Sequence, residues 1–203
     1  QTSCGTANYV GHRNLVAVCR SMAEEYGVDV VLHLDHARDY DEIRKAIDAG
    51  YSSVMFDGSS LPLKENILGT KRVVDYARAR NVSVEAELGT VGGTEDGIAV
   101  SQDDACYTDP EDAVEFVKQT GIDALAVAIG TSHGQYKSKT NISFERLKEL
   151  QEVVDIPLVI HGGTGVKDED VKRVIDLGIR KFNVGTELLV GWNRKSRECY
   201  DEH

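Results

Sequence analysis

The chain has 203 residues, with 23 Lys and Arg against 34 Asp and Glu for a formal net charge of -11; such a surface does not suit a polyanionic backbone, so nucleic acid is not expected as a partner. Apolar runs such as Ala124 to Ile129 and Pro157 to Ile160 fall far short of the roughly 18 to 20 residues of a membrane span, while 41% hydrophobic and 28% charged residues suffice for a globular core. Cys4, Cys19, Cys106 and Cys199 form no C-x-x-C pair, which points to reduced thiols and a cytoplasmic protein.

Short β-branched runs alternate with charged amphipathic stretches, the pattern of a parallel α/β sheet. Strands are predicted at Asp29 to Leu34, Ser53 to Phe56, Val82 to Glu87, Ala124 to Ile129, Pro157 to Ile160 and Lys181 to Val184, with a further short one before Gly5. Helices are predicted over Arg13 to Tyr26, Asp41 to Ala49, Pro62 to Arg80, Pro110 to Gln119, Phe144 to Val153, Lys167 to Leu177 and from Thr186 onward. Gly27, Gly50, Gly121 and Gly178 stand where helices stop, and Asp109 and Ser143 where they start. Between Gly89 and Asp109 no period can be read, and a mobile active-site loop is expected there.

Strict β/α alternation suits either a doubly wound sheet or a barrel, and the positions of the reactive side chains favour the barrel. Asp35 and His36, Asp57, Glu87, His133, His161 and Asn183 all fall at strand ends. A doubly wound sheet gathers its ligand contacts at one switch point, whereas a barrel draws them from many strand ends.

His36, His133 and His161 leave three different strands, and three imidazoles with an open fourth position are the pattern of a catalytic zinc site. Chance placement remains the competing explanation for three of six histidines. Asp35 closes an apolar strand, where a carboxylate is costly unless solvated, paired or used; general acid/base chemistry and a structural ion pair both satisfy it. His33 lies inside a strand and is expected to be a hydrogen-bonded core residue, and His12 and His203 surface groups. The glycine turns His161-Gly162-Gly163-Thr164-Gly165 and Asn183-Val184-Gly185-Thr186 follow the last two strands, where barrels commonly bind phosphate through backbone N–H groups. A phosphorylated substrate is compatible with the acidic chain, because nearby dipoles, a metal ion and Lys137 set the local field.

The segments Leu32-His33-Leu34-Asp35-His36, Val54-Met55-Phe56-Asp57-Gly58-Ser59, Glu85-Ala86-Glu87-Leu88-Gly89, Gly92-Gly93-Thr94-Glu95-Asp96, Gly130-Thr131-Ser132-His133-Gly134, His161 to Gly165 and Asn183 to Glu187 closely resemble the metal-dependent class II ketose-bisphosphate aldolases. That family contains fructose-bisphosphate and tagatose-bisphosphate enzymes. The resemblance implies an α/β fold of the TIM (β/α)8 type and a zinc-dependent, reversible cleavage of fructose 1,6-bisphosphate to dihydroxyacetone phosphate and glyceraldehyde 3-phosphate. It implies His36, His133 and His161 as zinc ligands, Asp35 as the acid/base for the C4 hydroxyl, and Glu95 as the carboxyl that moves the proton on the dihydroxyacetone carbon. Asp57 and Glu87 match a second or resting metal position. Gly134, Gly162, Gly163, Thr164, Asn183, Val184, Gly185 and Thr186 match contacts to dihydroxyacetone phosphate, with Na⁺ or K⁺ near Gly134, and Ser3 matches a contact to the far phosphate. A homodimer or homotetramer is expected from the same likeness.

Two departures leave alternatives open. Gly185 stands where many fructose-bisphosphate enzymes carry an acid, and tagatose-type members carry a small residue there, so tagatose 1,6-bisphosphate is an alternative substrate. Matching the motifs in order places Gln1 to Gly5 at the end of the family's second strand. Residues 1–203 are therefore expected to form a single, partial barrel domain lacking the first β/α unit and part of the C-terminal helical region, with about 40 to 50 residues, one strand and one helix, preceding Gln1. A catalytically incomplete fragment acting by association is the rival from another class, and a phosphosugar isomerase or metallohydrolase on the same barrel is a third.

Overall fold

The structure, a computed structural model, describes residues 1–95, 98–100, 106–134 and 142–201; the side chains of residues 94–100 and 133 lie outside that description. In chain order the elements are β1 (Thr2–Ser3), α1 (Cys4–Val10), α2 (His12–Tyr26), β2 (His33–Ala37), α3 (Tyr40–Ala49), β3 (Ser53–Phe56), α4 (Leu63–Arg78), β4 (Ser83–Leu88), β5 (Gly92–Glu95), β6 (Ile98–Val100), α5 (Pro110–Thr120), β7 (Ala124–Val127), β8 (Ser132–His133), α6 (Phe144–Val153), β9 (Leu158–Ile160), α7 (Asp168–Asp176), β10 (Ile179–Phe182) and α8 (Thr186–Asp201). They fall into two compact units, Gln1–Leu88 with Glu111–Leu125, and Gly89–Pro110 with Ala126–His203.

In the first unit β1, β2, β3 and β4 pair in parallel in that order, with β7 beside β4. The helices that return the chain between them follow local rules. Asp39 caps α3 by accepting from the Glu42 N–H, Asp41 and Glu42 sit in its first turn, and Gly50 ends it at a left-handed φ of 108°. Its buried face is Ile43, Ala46 and Ile47, spaced three and four apart. On α4, Gly69 lies so close to Phe56 of β3 that a Cβ would stand 2.6 Å from the ring, which lets helix and strand approach. Leu34, Val54, Met55, Val73, Val84, Phe116 and Leu125 are fully or almost fully buried.

The second unit holds a parallel β9–β10 pair with β7 beside β9. Leu147 and Leu150 of α6 and Leu158, Val159 and Ile160 of β9 are completely buried, and Ser143 caps α6 through the Arg146 N–H. A separate small sheet has the order β6-β5-β8.

Three expectations need correction. The predicted loop from Gly89 to Asp109 contains an antiparallel β5–β6 pair, with Gly93 opposite Val100 and Glu95 opposite Ile98; an alternation built on Gly, Thr and Glu gave no apolar period to read. The strand predicted at Asp29 to Leu34 instead runs from His33 to Ala37. Val28, Val30 and Val31 resemble strand residues but are exposed, whereas β1 and β3 pair only with the polar end of the segment. Asp35 and His36 therefore lie within β2, not beyond it. His12 is likewise not a free surface group: its side chain is mostly buried and its Nε2 lies 2.9 Å from Glu42 Oε1.

Candidate active site

In the first unit, two clusters of imidazole and carboxylate groups are built on β2, β3 and β4. A β-bulge creates both. Leu34 pairs with Val54 and Ala37 with Phe56, so Asp35 and His36 together oppose Met55 alone. His36 takes a φ of 46°, a left-handed conformation rare for a residue with a Cβ and a form of strain that collects at functional sites. At the bulge each of the two neighbours also joins a cluster that the other does not.

His36 joins Asp57 and Glu87 in a group whose ligand-type atoms all lie within 4.8 Å of one another. His36 Nδ1 is 3.3 Å from Asp57 Oδ2 and 3.6 Å from Glu87 Oε2. Asp57 is heavily held: Arg38 Nε and Nη2 donate to its Oδ2 at 3.1 and 2.8 Å, and Ser59 Oγ and N donate to its Oδ1 at 2.6 and 3.2 Å. Burial pushes the Asp57 carboxyl up, but the hydrogen bonds from His36, Ser59 and Arg38 and the His36 charge outweigh it and hold the group well below the usual carboxylate range. Glu87 behaves oppositely. Burial pushes it up, the His36 ring opposes, and the charges of Asp57, Glu85 and Asp35 add to the rise, to about 8.

The second group is His33, Asp35 and Glu85, all buried. His33 Nε2 lies 3.5 Å from Asp35 Oδ1 and 3.9 Å from Glu85 Oε2, and Gln1 Nε2 donates to Asp35 Oδ2 at 3.0 Å.

The second unit carries the two glycine turns, and they are tied together. Gly163 N–H donates to the Asn183 carbonyl and Asn183 N–H to the Ile160 carbonyl, both at 2.9 Å. Asn183 Nδ2 donates to His161 Nε2 at 3.1 Å, which fixes the plane of a fully buried ring. Thr164 Oγ1 accepts from the Glu187 N–H in the first turn of α8 at 3.3 Å; a hydroxyl that accepts there still has its proton to offer an anion. Gly162 has a φ of +67°, and a Cβ on it would collide with the Ser132 backbone carbonyl. Gly93 of β5 pairs with His133 of β8, and Glu95 lies two residues further along β5.

Of the residues singled out from the sequence, His36, Asp57 and Glu87 come together in the first unit, with Asp35 in the cluster of His33 and Glu85, and His161, Gly162, Gly163, Thr164 and Asn183 belong to the second. Val184 and Thr186 are half-buried and Gly185 is exposed; Gly134 is half-buried with a φ of 86°. Ser3 is the N-cap of α1, its Oγ accepting from the Thr6 N–H at 3.3 Å. The backbones of Glu95 and His133 are described and their side chains are not, and Lys137 lies outside the described residues.

Sequence reasoning missed Arg38, Ser59, Glu85 and Asn66. Asn66 Nδ2 donates to the Glu87 carbonyl at 2.9 Å and its Oδ1 accepts from Thr70 Oγ1 at 3.1 Å, all buried. Its signal was a polar residue on the apolar face of α4 beside Ile67, Thr70 and Val73. Ser59, two residues after Asp57, has the spacing of an Asx turn.

A parallel α/β architecture with imidazoles and carboxylates drawn from successive strands defines a TIM-barrel-like protein whose buried clusters are groups that could hold a metal ion. The chain matches the class II fructose-bisphosphate aldolase family over residues 1–203 and belongs to it. Among solved structures it resembles the YdjI aldolase of Escherichia coli K12, with 37% identity and a TM-score of 0.86 over 99% of this chain and 70% of that one. It also resembles the fructose-bisphosphate aldolase of Campylobacter jejuni, with 28% identity and a TM-score of 0.80 over 97% of this chain and 66% of that one. The chain thus spans about two thirds of the length of these structures. No helix among the described residues is long and apolar enough to cross a membrane.

Proposed function

We propose that this chain carries the active site of a zinc-dependent aldolase that reversibly cleaves fructose 1,6-bisphosphate into dihydroxyacetone phosphate and glyceraldehyde 3-phosphate. The observation that carries the reading is the cluster on the strained bulge of β2. Glu87 Oε2 is buried with no hydrogen-bond partner among the described residues, and it lies 3.6 Å from His36 Nδ1 beside the ionised Asp57. A buried carboxylate oxygen left unbonded costs roughly 1 to 3 kcal/mol or more, and a nitrogen-and-oxygen donor set of this kind suits a zinc ion. The proposed ligands are His36, His133 and His161, with Asp57 and Glu87 as a resting or second position.

Zinc bound there supplies Lewis-acid stabilisation of the negative charge that develops on the substrate as the carbon–carbon bond breaks. The remaining steps belong to side chains. Asp35 takes the proton of the C4 hydroxyl as the C3–C4 bond breaks; the released electron pair stays with the dihydroxyacetone half, and Glu95 returns a proton to C3. The tied turns at Gly162 to Thr164 and Asn183 to Thr186 hold the phosphate of that half, with the first turn of α8 adding its dipole. Ser3 serves the far phosphate, a Na⁺ or K⁺ ion lies near Gly134, and the working protein is a cytoplasmic homo-oligomer.

The test is a coupled cleavage assay on fructose and tagatose 1,6-bisphosphates with and without chelator. Activity should vanish on chelation and return with Zn²⁺, and Asp35→Ala should reduce kcat while zinc content holds. Cleavage at full rate after complete metal removal would end the zinc reading, and preference for tagatose 1,6-bisphosphate would replace the substrate.

A further inference from the structure

His33 opens β2 and is almost completely buried. Its Nδ1 lies 2.7 Å from Ser53 Oγ, on the residue that pairs with it across the parallel ladder. That contact sets the ring plane and leaves Nε2 facing Asp35 Oδ1 at 3.5 Å and Glu85 Oε2 at 3.9 Å. Ionised carboxylate oxygens only accept hydrogen bonds, so a bare nitrogen lone pair between two of them is repelled and the proton belongs on Nε2. The 2.7 Å contact with Ser53 Oγ suits either role of Nδ1, because the hydroxyl can both donate and accept. Packing alone does not call for this arrangement: an apolar side chain would fill the same buried volume without the desolvation cost of an imidazole beside two carboxylates.

The strand geometry makes the link specific. His33 and Asp35 are two residues apart in β2, and Asp35 is the first of the two residues doubled at the bulge, so strand and bulge together set the approach of the two side chains. Asp35 Oδ2 is held from the other side by Gln1 Nε2. Distances of 3.5 and 3.9 Å exceed a good hydrogen bond, but catalytic contacts are often loose in ligand-free proteins and shorten in the reacting complex.

We propose that His33 is a positioning residue: its imidazole, locked by Ser53, presents an Nε2–H to Asp35 and Glu85 and holds the Asp35 carboxylate in the orientation that receives the substrate proton. The inference rests on the aldolase reading for the task of Asp35. Neither histidine burial nor membership of the family requires it.

The test uses the zinc-loaded protein with His33→Phe, which keeps a ring but no donor, and His33→Gln, whose side-chain amide reaches close to the place of Nε2. His33→Phe should lose about 10- to 100-fold in kcat, the range typical of residues that orient a reacting group or ligand, with KM for the bisphosphate and zinc content unchanged. His33→Gln should recover a large part of that loss. Independently, ¹⁵N-edited NMR of the wild-type ring should show the Nε2–H tautomer, with resonances that shift in Asp35→Asn. A kcat within about twofold of wild type in His33→Phe, equal losses in Phe and Gln variants, or an unprotonated Nε2 would each overturn the proposal. If the wild type cleaves no ketose bisphosphate, the aldolase reading fails, and the NMR result still decides whether His33 engages Asp35.

Discussion

Gly162→Ala isolates the backbone device that joins the turn after β9 to strand β8. The residue has a φ of +67°, and a Cβ there meets the Ser132 carbonyl and stands 3.0 Å from the Ser132 nitrogen. Left-handed backbone costs an L residue about 1 to 2 kcal/mol, and forcing an added methyl into packed atoms costs about 1 to 3 kcal/mol, so the variant should lose about 2 to 5 kcal/mol. Against a total stability of about 5 to 15 kcal/mol, that is a large fraction. Urea unfolding followed by circular dichroism reads it directly: a loss of about 3 kcal/mol with a slope of about 2 kcal/mol per molar moves the midpoint by about 1.5 M. Gly185→Ala is the control, because a Cβ there meets nothing within 4 Å and no left-handed φ is required; its midpoint should hardly move. On the proposed ligand set, in which His161 precedes Gly162 and His133 follows Ser132, zinc content of Gly162→Ala should fall as well. A midpoint within about 0.3 M of wild type would refute the close-approach argument.

Two further perturbations probe the surroundings of Glu87. Asn66→Ala removes the buried donor to the Glu87 carbonyl and the acceptor of the Thr70 hydroxyl, and should cost about 1 to 3 kcal/mol in urea unfolding; a loss under about 0.5 kcal/mol would show that relaxation or water replaces the amide. For pH, the Glu87 carboxyl is raised from 4.5 to about 8, so the folded metal-free protein binds a proton that the unfolded chain has released. Its contribution to stability is fully present below about pH 4.5 and is lost as pH climbs to about 8, with a slope of up to about 1.4 kcal/mol per pH unit. Glu87→Gln should flatten that decline in metal-free protein, and an unchanged slope would place the titration elsewhere.

The alternation of elements was legible because each carries its own local cause: the capped, amphipathic α3, the short apolar run Val54-Met55-Phe56 of β3, and Ser143 ahead of α6. The chemical residues were legible because carboxylates and imidazoles beside apolar strands are costly without a use. The bulge was not legible. Nothing local in Leu34-Asp35-His36-Ala37 favours an extra residue, and only the register against Val54 and Phe56 creates it. Arg38 was missed for a related reason: its partner, Asp57, is distant in sequence, and the strand pairing brings the two within 2.8 Å. The β5–β6 pair escaped notice because its stability comes from ladder hydrogen bonds and not from an apolar face.

In a regular strand, neighbouring residues point to opposite faces and alternate ones share a face, so one pleat can serve only one set of partners with adjacent positions. The doubled residue at Asp35–His36 acts as a frameshift written into the backbone: upstream of it the strand addresses Glu85, and from His36 it addresses Asp57 and Glu87. Asp35 and His36 are thus consecutive in the chain, and each has a cluster of its own to serve. Shortening this segment by a single residue would restore an even ladder and make the two assignments compete, so the length between Leu34 and Ala37 constrains this protein's chemistry as firmly as the identity of either side chain.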